Sequence, residues 1–375
     1  MKKLLLAPNS FKECSYSTQV ADTLEKILKS GEQQLEIAKF PISDGGDGFL
    51  DVCGRNFNLE FLTFDTIKTY ADELFKVRIG FDPKYKVIYV ESAEVIGLNL
   101  IPVDKRHPLV LNTKGLGILF KSIIESGLNV DKVILGIGGT GTSDLGLGFC
   151  SVFGLELFDF SGKQLEIIPE NFEKANKIKW SNIELPFQLE LIIDVDNELL
   201  GPDGAAKAFS GQKGATESEA EILEQGFSKI LNLLKNDRLV GSANELSGAG
   251  GGLAAGLQIF FNAKIRTAKE FINGALSKRI EEFAPDFVLT GEGAFDAQSL
   301  MDKGAKIVID YCISKNIPII LLCGKIDKNS ISAYGDKLFP IELESFFESP
   351  QDSIKNFEKG LELAGKSIID YIFHS

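Results

Sequence analysis

The 375-residue sequence predicts an α/β protein of two domains, and three observations carry the prediction. Short apolar runs lead directly into loops of glycine and carboxylate, as in Lys132-Val-Ile-Leu-Gly-Ile-Gly-Gly-Thr-Gly-Thr-Ser-Asp144. Strand, loop and helix alternate near both ends of the chain. Pro318 to Cys323 is apolar without interruption, the pattern of a strand covered on both faces of a parallel sheet.

Taken in order, Met1-Lys-Lys-Leu-Leu-Leu-Ala-Pro8 reads as a buried first strand, because its apolar run is shorter than a signal peptide requires and Pro8-Asn9-Ser10 breaks it. Ser17 reads as the N-cap of a helix whose Val20, Ala21, Leu24, Ile27 and Leu28 share one face before Gly31. The intervening loop carries Ser10 and Lys12, and a lysine just beyond a buried strand is either a solvated end charge or a phosphate partner. Leu35 to Phe40 is a second strand. From Asn58 to Pro108 the texture changes: Phe75 to Phe81 and Lys86 to Glu91 alternate as antiparallel strands, which marks a change of domain. Thr113 caps a helix with Leu116, Leu119, Phe120, Ile123 and Ile124 on its apolar face, closed by Gly127.

Beyond Gly201, turns around Gln212-Lys213-Gly214-Ala215-Thr216 lead into a long helix from Glu217 to Leu234, and Gly248-Ala-Gly250-Gly251-Gly252 opens another. Clean alternation then returns, with Asp286 to Thr290, Pro318 to Cys323 and Lys337 to Ile341 as strands and Lys303 to Ser314 and Asp352 to Phe373 as helices. The likeness of the two ends implies a discontinuous Rossmann/flavodoxin-like parallel-sheet domain from residues 1–65 and 285–375, into which a mixed α/β domain, residues 66–284, is inserted.

Composition narrows the function. With 53 acidic against 40 basic residues the net charge is −13, which argues against nucleic acid and for a small-molecule partner. No run reaches the roughly 18 apolar residues of a membrane span. Five scattered cysteines without a Cys-x-x-Cys pair read as reduced core thiols, so a cytoplasmic protein, monomer or homodimer, is expected. With only His107 and His374 present, histidine triads and multi-histidine metal sites are excluded, and proton transfer falls to Asp, Glu or Lys. No Walker-type Gly-x4-Gly-Lys-Ser/Thr occurs.

Four loops share one grammar of strand, small residues and acid. Besides the loop ending at Asp144 they are Phe40-Pro-Ile-Ser-Asp44-Gly-Gly-Asp47-Gly48, Leu191-Ile-Ile-Asp194-Val-Asp196-Asn197 and Phe287-Val-Leu-Thr-Gly291-Glu292-Gly293-Ala-Phe-Asp296. Loops at the carboxyl ends of strands line the ligand crevice of open α/β sheets, so four of them suggest one site. Glycine loops bring bare amides against an anion, and carboxylates hold a cation or take a proton. Structural explanations stand beside these: Asp44, Asp47, Asp194 or Asp196 as helix or turn caps, and Gly248 to Gly252 as a hinge or a close helix contact.

In this order the motifs Ala7-Pro-Asn-Ser-Phe-Lys12, Ser43-Asp-Gly-Gly-Asp-Gly48, Gly136 to Asp144, Asp194-Val-Asp-Asn197, Gly211-Gln-Lys-Gly-Ala-Thr216, Gly248 to Leu253 and Thr290-Gly-Glu-Gly293 with Asp296, Gln298 and Ser299 resemble the bacterial glycerate kinase family, ATP-dependent kinases without a Walker loop. The resemblance implies transfer of the ATP γ-phosphoryl group to D-glycerate, with 2-phosphoglycerate the favoured product and 3-phosphoglycerate the other option, a requirement for Mg²⁺, and a cleft between two α/β domains. Phosphoryl transfer needs held phosphates, amides, cations and a carboxylate near the attacking hydroxyl. On those needs Lys12 neutralises a phosphate. Ser10, Gly138, Gly139, Thr140, Gly141, Asp144, Lys213, Gly250 and Gly251 line the substrate and phosphate site. Asp194, with Asp44 as second choice, orients or deprotonates the substrate hydroxyl, and Glu292 and Asp296 hold Mg²⁺ directly or through water.

The sequence departs from the family pattern at Leu145, where glycine is usual and where a larger residue is expected to narrow the loop. It departs also at Ala294, where an arginine is common, at Met301-Asp302-Lys303, and at Asp47, where glutamate is commoner. Two other functions compete. Gly136-x-Gly138-x-x-Gly141 with Glu156 or Asp159 satisfies a dinucleotide fingerprint and would suit a nicotinamide-dependent oxidoreductase. A non-catalytic sensor of small phosphorylated acids would retain the fold and lose turnover.

Overall fold

The computed structural model describes residues 1–11, 14–30, 34–71, 73–236, 246–297, 299–300 and 304–374. The chain divides into two compact units, one of Met1–Asp44, Asp51–Asn58 and Ala268–Ser375, the other of Gly45–Leu50 and Leu59–Thr267.

The first unit begins with β1 (Lys2–Pro8), α1 (Ser17–Lys29) and β2 (Leu35–Lys39), and takes up most of α2 (Phe49–Asn56). Its later elements are numbered after those of the second unit: α9 (Ala268–Phe283), β12 (Phe287–Phe295), α10 (Gly304–Ser314), β13 (Ile319–Ile326), α11 (Lys328–Ile331), β14 (Leu338–Glu342), α12 (Pro350–Lys355) and α13 (Phe357–His374). The five strands form one parallel sheet in the order β14-β13-β12-β1-β2. Counted within the unit this is the doubly wound order 2-1-3-4-5, whose switch point lies between β1 and β12.

Alternation along each strand sorts side chains onto two covered faces. Leu4, Leu6, Leu289, Ile320 and Leu322 pack with Val20 and Leu24 of α1 and Leu361 and Ile368 of α13. Leu5, Ala7, Val288, Ile319 and Leu321 pack with Ile272 and Leu276 of α9 and Val308 and Cys312 of α10. Both faces are dry, and this is why these strands read as unbroken apolar runs.

The second unit contains β3 (Glu60–Ile67), β4 (Leu74–Asp82), β5 (Val87–Glu91), α3 (Ala93–Ile96), α4 (Lys114–Glu125), β6 (Lys132–Gly136), α5 (Leu147–Val152), β7 (Glu156–Phe158), β8 (Gln164–Leu165), β9 (Lys177–Lys179), β10 (Gln188–Ile193), α6 (Ala205–Phe209), α7 (Glu217–Asn236), α8 (Leu253–Phe261) and β11 (Lys264–Thr267). Its six-stranded sheet runs β11-β10-β6-β5-β4-β3, parallel from β5 to β11 and antiparallel from β3 to β5, and a small sheet orders as β8-β7-β9. One core joins the sheet to α4 and α8; a second gathers α5, α6 and α7 around the small sheet.

Several boundaries differ from the sequence-based expectation. Residues 45–50 and 59–65, expected in the first domain, belong to the second unit, where β3 pairs with β4 along its whole length. Residues 268–283, expected in the insertion, belong to the first unit because α9 covers one face of its sheet. The closing helix is two helices, α12 and α13, parted at Asn356, whose φ of −111° and ψ of 36° leave the helical region.

The strand expected to stop at Thr290 continues to Phe295, with Glu292 opposite Cys323 and Phe295 opposite Ile326 in the β13 ladder. Gly291 allows this: a Cβ there would lie 1.6 Å from the Leu322 carbonyl oxygen, a clash with backbone that no rotamer relieves. Gly291→Ala is therefore expected to destabilise the protein by about 3 kcal/mol and to lower the melting temperature by roughly 6–10 °C in a thermal denaturation followed by circular dichroism. An unchanged melting temperature would show that the strands are not so closely apposed.

Candidate functional site

In the first unit the polar residues converge at the switch point. The Asn9 N–H donates to the Gly291 carbonyl at 2.8 Å and its side-chain oxygen accepts from the Ser10 N–H at 2.9 Å, so the end of β1 is tied to β12 where Glu292 emerges. Burial raises the Glu292 pKa; the Ser299 hydroxyl, the Ala305 N–H and the Asn9 side chain pull it down, and the charge of Asp44 raises it further. Its Oε1 is buried without a hydrogen-bond partner among the described residues. Gly304, at φ +48°, lies under the other oxygen: a Cβ there would sit 2.3 Å from Glu292 Oε2 and 2.7 Å from Asn9 Nδ2. Ser10, Asp44 and Glu292 thus share one end of the sheet.

Asp296 does not join Glu292 closely. Four residues of extended strand separate the two Cα atoms by about 13 Å, more than the two side chains can close around one small cation. The cause is the continuation of β12 where the sequence suggested a loop. Lys12, Gln298, Met301, Asp302 and Lys303 lie outside the described residues.

In the second unit the glycine loop leaves β6 and is fastened to the segment that follows β5. The Ser92 N–H donates to the Gly136 carbonyl at 3.1 Å, the Leu98 N–H to that of Gly139 at 2.8 Å, and the Gly141 N–H to that of Ile96 at 2.8 Å. The Gly141 amide is therefore occupied and is not available to a ligand as expected. The N–H groups of Gly138, Gly139 and Thr140 have no hydrogen-bond acceptor among the described residues. Gly138 and Gly139 are glycines because the turn 45–48 presses on them: a Cβ on Gly138 would lie 2.5 Å from Gly46 Cα, and one on Gly139, at φ +63°, would lie 2.3 Å from Asp47 Oδ1. The Asn99 side chain holds Asp47 from the other side, Nδ2 donating to Oδ2 at 2.9 Å.

Asp144 is fully buried, and its oxygens accept from the Thr113 N–H at 2.8 Å, the Thr113 hydroxyl at 2.9 Å, the Gly148 N–H at 2.9 Å and the Gly146 N–H at 3.2 Å. Burial raises its pKa and these donors oppose the rise. It joins the start of α4 to the start of α5, which leaves little of it to meet a ligand. Lys213 is only 3% exposed; its Nζ donates to the Thr142 carbonyl at 2.6 Å and to the Thr140 hydroxyl at 3.4 Å. Burial lowers its pKa to about 8, against the pull of Asp144. The hydroxyls of Thr142 and Ser143 beside it are buried without partners among the described residues.

The second glycine run has a packing explanation. Gly250, Gly251 and Gly252 all have positive φ, and a Cβ on Gly251 would lie 2.2 Å from the Thr142 carbonyl oxygen and 2.9 Å from Lys213 Nζ. Close approach of backbone to the first loop, rather than an open anion site, requires these glycines. Asp194 stands half-buried at the end of β10, beside β6, so it shares a sheet edge with the glycine loop.

Leu145 does not narrow the loop: at φ +55° it turns its side chain into the core with Leu147, Leu199 and Ala255. The dinucleotide reading also loses its geometry, because Gly141 is fastened to Ile96 and the next helix, α5, starts only at Leu147. The sequence reading gave no site role to Asn9, named only within a motif, or to Thr113, named only as a helix cap, and it passed over Asn99 and the role of Glu91, whose buried carboxylate accepts from the Gly48 and Leu50 N–H groups. An acid closing an apolar strand just before Ser92 was the available signal. Among the described residues no group of three or more His, Cys, Asp or Glu is placed to hold a metal, and no helix is long and apolar enough to cross a membrane.

The first unit carries carboxylates at the switch point of its parallel sheet, and the second carries a glycine loop with bare amides and a buried lysine against Thr140 and Thr142; the chain is an α/β protein without a Walker loop. The sequence matches the Glycerate kinase family over residues 4–372, and the chain belongs to that family. It is 31% identical over 360 residues to the glycerate kinase of Bacillus subtilis strain 168, covering 92% of this chain and 93% of that one. It is 29% identical over 368 residues to the glycerate 2-kinase of Escherichia coli K12, covering 94% and 95%. A crystal structure from Salmonella typhimurium LT2, assigned to glycerate kinase 2, is similar with a TM-score of 0.79 at 25% identity over 98% of this chain and 97% of that one. Family membership makes the protein an ATP-dependent kinase.

The Asp144 network makes a stability prediction. Asp144→Ala removes the acceptor for four buried donor groups, and a loss of about 3–5 kcal/mol is expected in urea denaturation, enough to leave much of the protein unfolded at 37 °C. A loss below about 1 kcal/mol would mean that those donors find water or other acceptors.

Proposed function

We propose that the protein transfers the γ-phosphoryl group of ATP to D-glycerate, giving 2-phosphoglycerate and ADP. The observation that carries this reading is the run of amides without acceptors at Gly138, Gly139 and Thr140 in the loop whose Thr140 hydroxyl and Thr142 carbonyl hold the buried Lys213. Such an arrangement suits an oxyanion that gains charge during transfer, because fixed donors in a desolvated place need no reorganisation. The name glycerate 2-kinase of the Escherichia coli relative supports the 2-phospho product over the 3-phospho one.

Each residue then has a task. The Gly138, Gly139 and Thr140 amides bind phosphate or carboxylate oxygen, and Lys213 supplies the positive charge behind them. Asp194 accepts the proton of the attacking hydroxyl as its oxygen bonds to the γ-phosphorus and the bond to the β-phosphate oxygen breaks. Asp144, its oxygens engaged, organises the loop. Glu292, with Asp44 as its acidic neighbour, would hold Mg²⁺: an unpartnered buried carboxylate oxygen suits a hard cation, which keeps most of its ligands as water and phosphate. When bound, Mg²⁺ would offset phosphate charge. Asp296 would act on it only through intervening water. Ser10, next to Asn9 at the same sheet end, would donate to a phosphate, and Lys12, outside the described residues, would be a second cation for it.

The direct test is to incubate the protein with ATP, Mg²⁺ and D-glycerate and to identify the product by phosphorus NMR. A 2-phosphoglycerate resonance is expected; a 3-phosphoglycerate resonance would reassign the hydroxyl, and neither resonance would overturn the reading. Lys213 acts only as the ammonium. With its pKa depressed to about 8, it is charged below that pH and neutral above, so kcat/KM is expected to fall as pH rises through 8. Lys213→Met should lose about 100-fold in kcat/KM at pH 7 and should lack the alkaline limb. A variant that keeps the limb would assign it to another group.

A further inference from the structure

Glu91 closes β5, and its two carboxylate oxygens are divided between two amides: Oε1 accepts from the Gly48 N–H and Oε2 from the Leu50 N–H, each at 2.9 Å. Both amides lie at the start of α2, where N–H groups have no acceptor within the helix and where the helix dipole favours a negative charge. The residues that follow Glu91 grip the other loop. Ser92 donates to the carbonyls of Gly136 and, through its hydroxyl, Gly138, while Ile96 and Leu98 exchange backbone bonds with Gly141 and Gly139. One short segment, 91–98, thus holds the Asp47 turn on one side and the glycine loop on the other. The two held pieces also touch each other, Gly46 under Gly138 and Asp47 under Gly139.

A neutral serine or asparagine is the ordinary way to cap a helix start, and it avoids the cost of burying a charge. Here a carboxylate is used, 5% exposed, and it faces like charges: Glu94 on α3, itself paired with Arg78 of β4, and Asp47 in the turn. Only a group with two fixed acceptor oxygens satisfies both amides at once, and this fixes the turn in place as well as in composition.

We propose that Glu91 is a positioning residue of the phosphotransfer site, which through the 45–50 turn sets where the Gly138 and Gly139 amides stand, without itself touching substrate. The inference rests on the glycine loop's being the phosphate cradle. Burial pushes the Glu91 carboxyl up to about 7, the two amides opposing the rise, so the clamp is complete above neutrality and weakens as the pH falls through 7.

The test pairs Glu91→Gln with hydrogen exchange. In the variant one oxygen becomes an NH2 group that cannot accept, so one amide is released. Kinase assays should show kcat lowered about tenfold or more with KM for ATP changed by less than about threefold, and the acid limb near pH 7 of the parent enzyme should be absent. A variant with kcat within about twofold of the parent and the same acid limb would overturn the proposal. Should the variant not fold, the parent protein decides. After correction for intrinsic rates, the Gly48, Leu50 and Gly141 amides should exchange faster at pH 6 than at pH 8 while the β6 and β10 cores do not. Equal protection at both pH values overturns the proposal. A parent protein that shows this exchange pattern but no glycerate phosphorylation would instead sink the functional reading and leave the clamp standing.

Discussion

The second unit's site depends on backbone approaching backbone more closely than any Cβ would permit. Gly138 on Gly46 and Gly251 on Thr142 are two such approaches, and at Gly139 the Asp47 side chain of the same turn stands where a Cβ would be. Because the contacts are made by main chain, they hold amides rather than side chains in place. Amides are what the chemistry of a transferring phosphoryl group calls for, since they are dipoles fixed before charge develops. The glycines are therefore required by packing, and the same close packing leaves the Gly138, Gly139 and Thr140 N–H groups without acceptors among the described residues.

Charges buried around this loop follow from the same constraint. Beside the loop's own Ile137, Thr142 and Ser143, ionisable groups pack around it: Asp144 at its end, Lys213 against Thr140 and Thr142, and Glu91 behind the turn that presses on it. Each is desolvated, and burial favours the neutral form; hydrogen bonds oppose it at Asp144 and Glu91, and the charge of Asp144 opposes it at Lys213. Asp144 meets four donors and is an organising group; Lys213 has two acceptors and buried hydroxyls near it with no partner, which leaves it capacity for an anion. Burial alone does not separate these roles. The count of remaining hydrogen-bonding capacity does.

Much of this was legible in the sequence. The doubly wound first unit followed from Leu4 to Ala7 and from Ile319 to Cys323, because strands covered on both faces need no alternation and announce themselves as unbroken apolar runs. Loop motifs marked Gly138, Asp194 and Glu292 because glycine and acid at a strand end are costly unless used. Partners were not legible. Nothing in the residue string says that Gly141 donates to Ile96, that the Asp144 oxygens are taken by Thr113, or that Glu91 reaches Gly48, since these pairings join residues 31 to 45 positions apart through the packing of separate elements. The extension of β12 was hidden for a related reason. Gly-Glu-Gly signals a loop in isolation, yet Gly291 and Gly324 serve close strand apposition, with the Leu322 and Gly293 carbonyls where their side chains would stand.

The departures from the family pattern are absorbed by the fold in three different ways. Leu145 adopts a backbone conformation that costs an L-residue about 1–2 kcal/mol, but its side chain is fully buried, and burial of a leucine is worth about 1.5–3 kcal/mol, so the exchange is close to neutral. Asp47, one methylene shorter than glutamate, is met by Asn99 on one oxygen while the other lies against Gly139; a longer side chain would have to fold away from that contact. Ala294 holds the place where the family pattern led to the expectation of an arginine, and directly opposite it in the ladder stands the exposed Lys325 of β13. In-register neighbours of a parallel pair project to the same side of the sheet, so a cation still stands one strand away from Ala294.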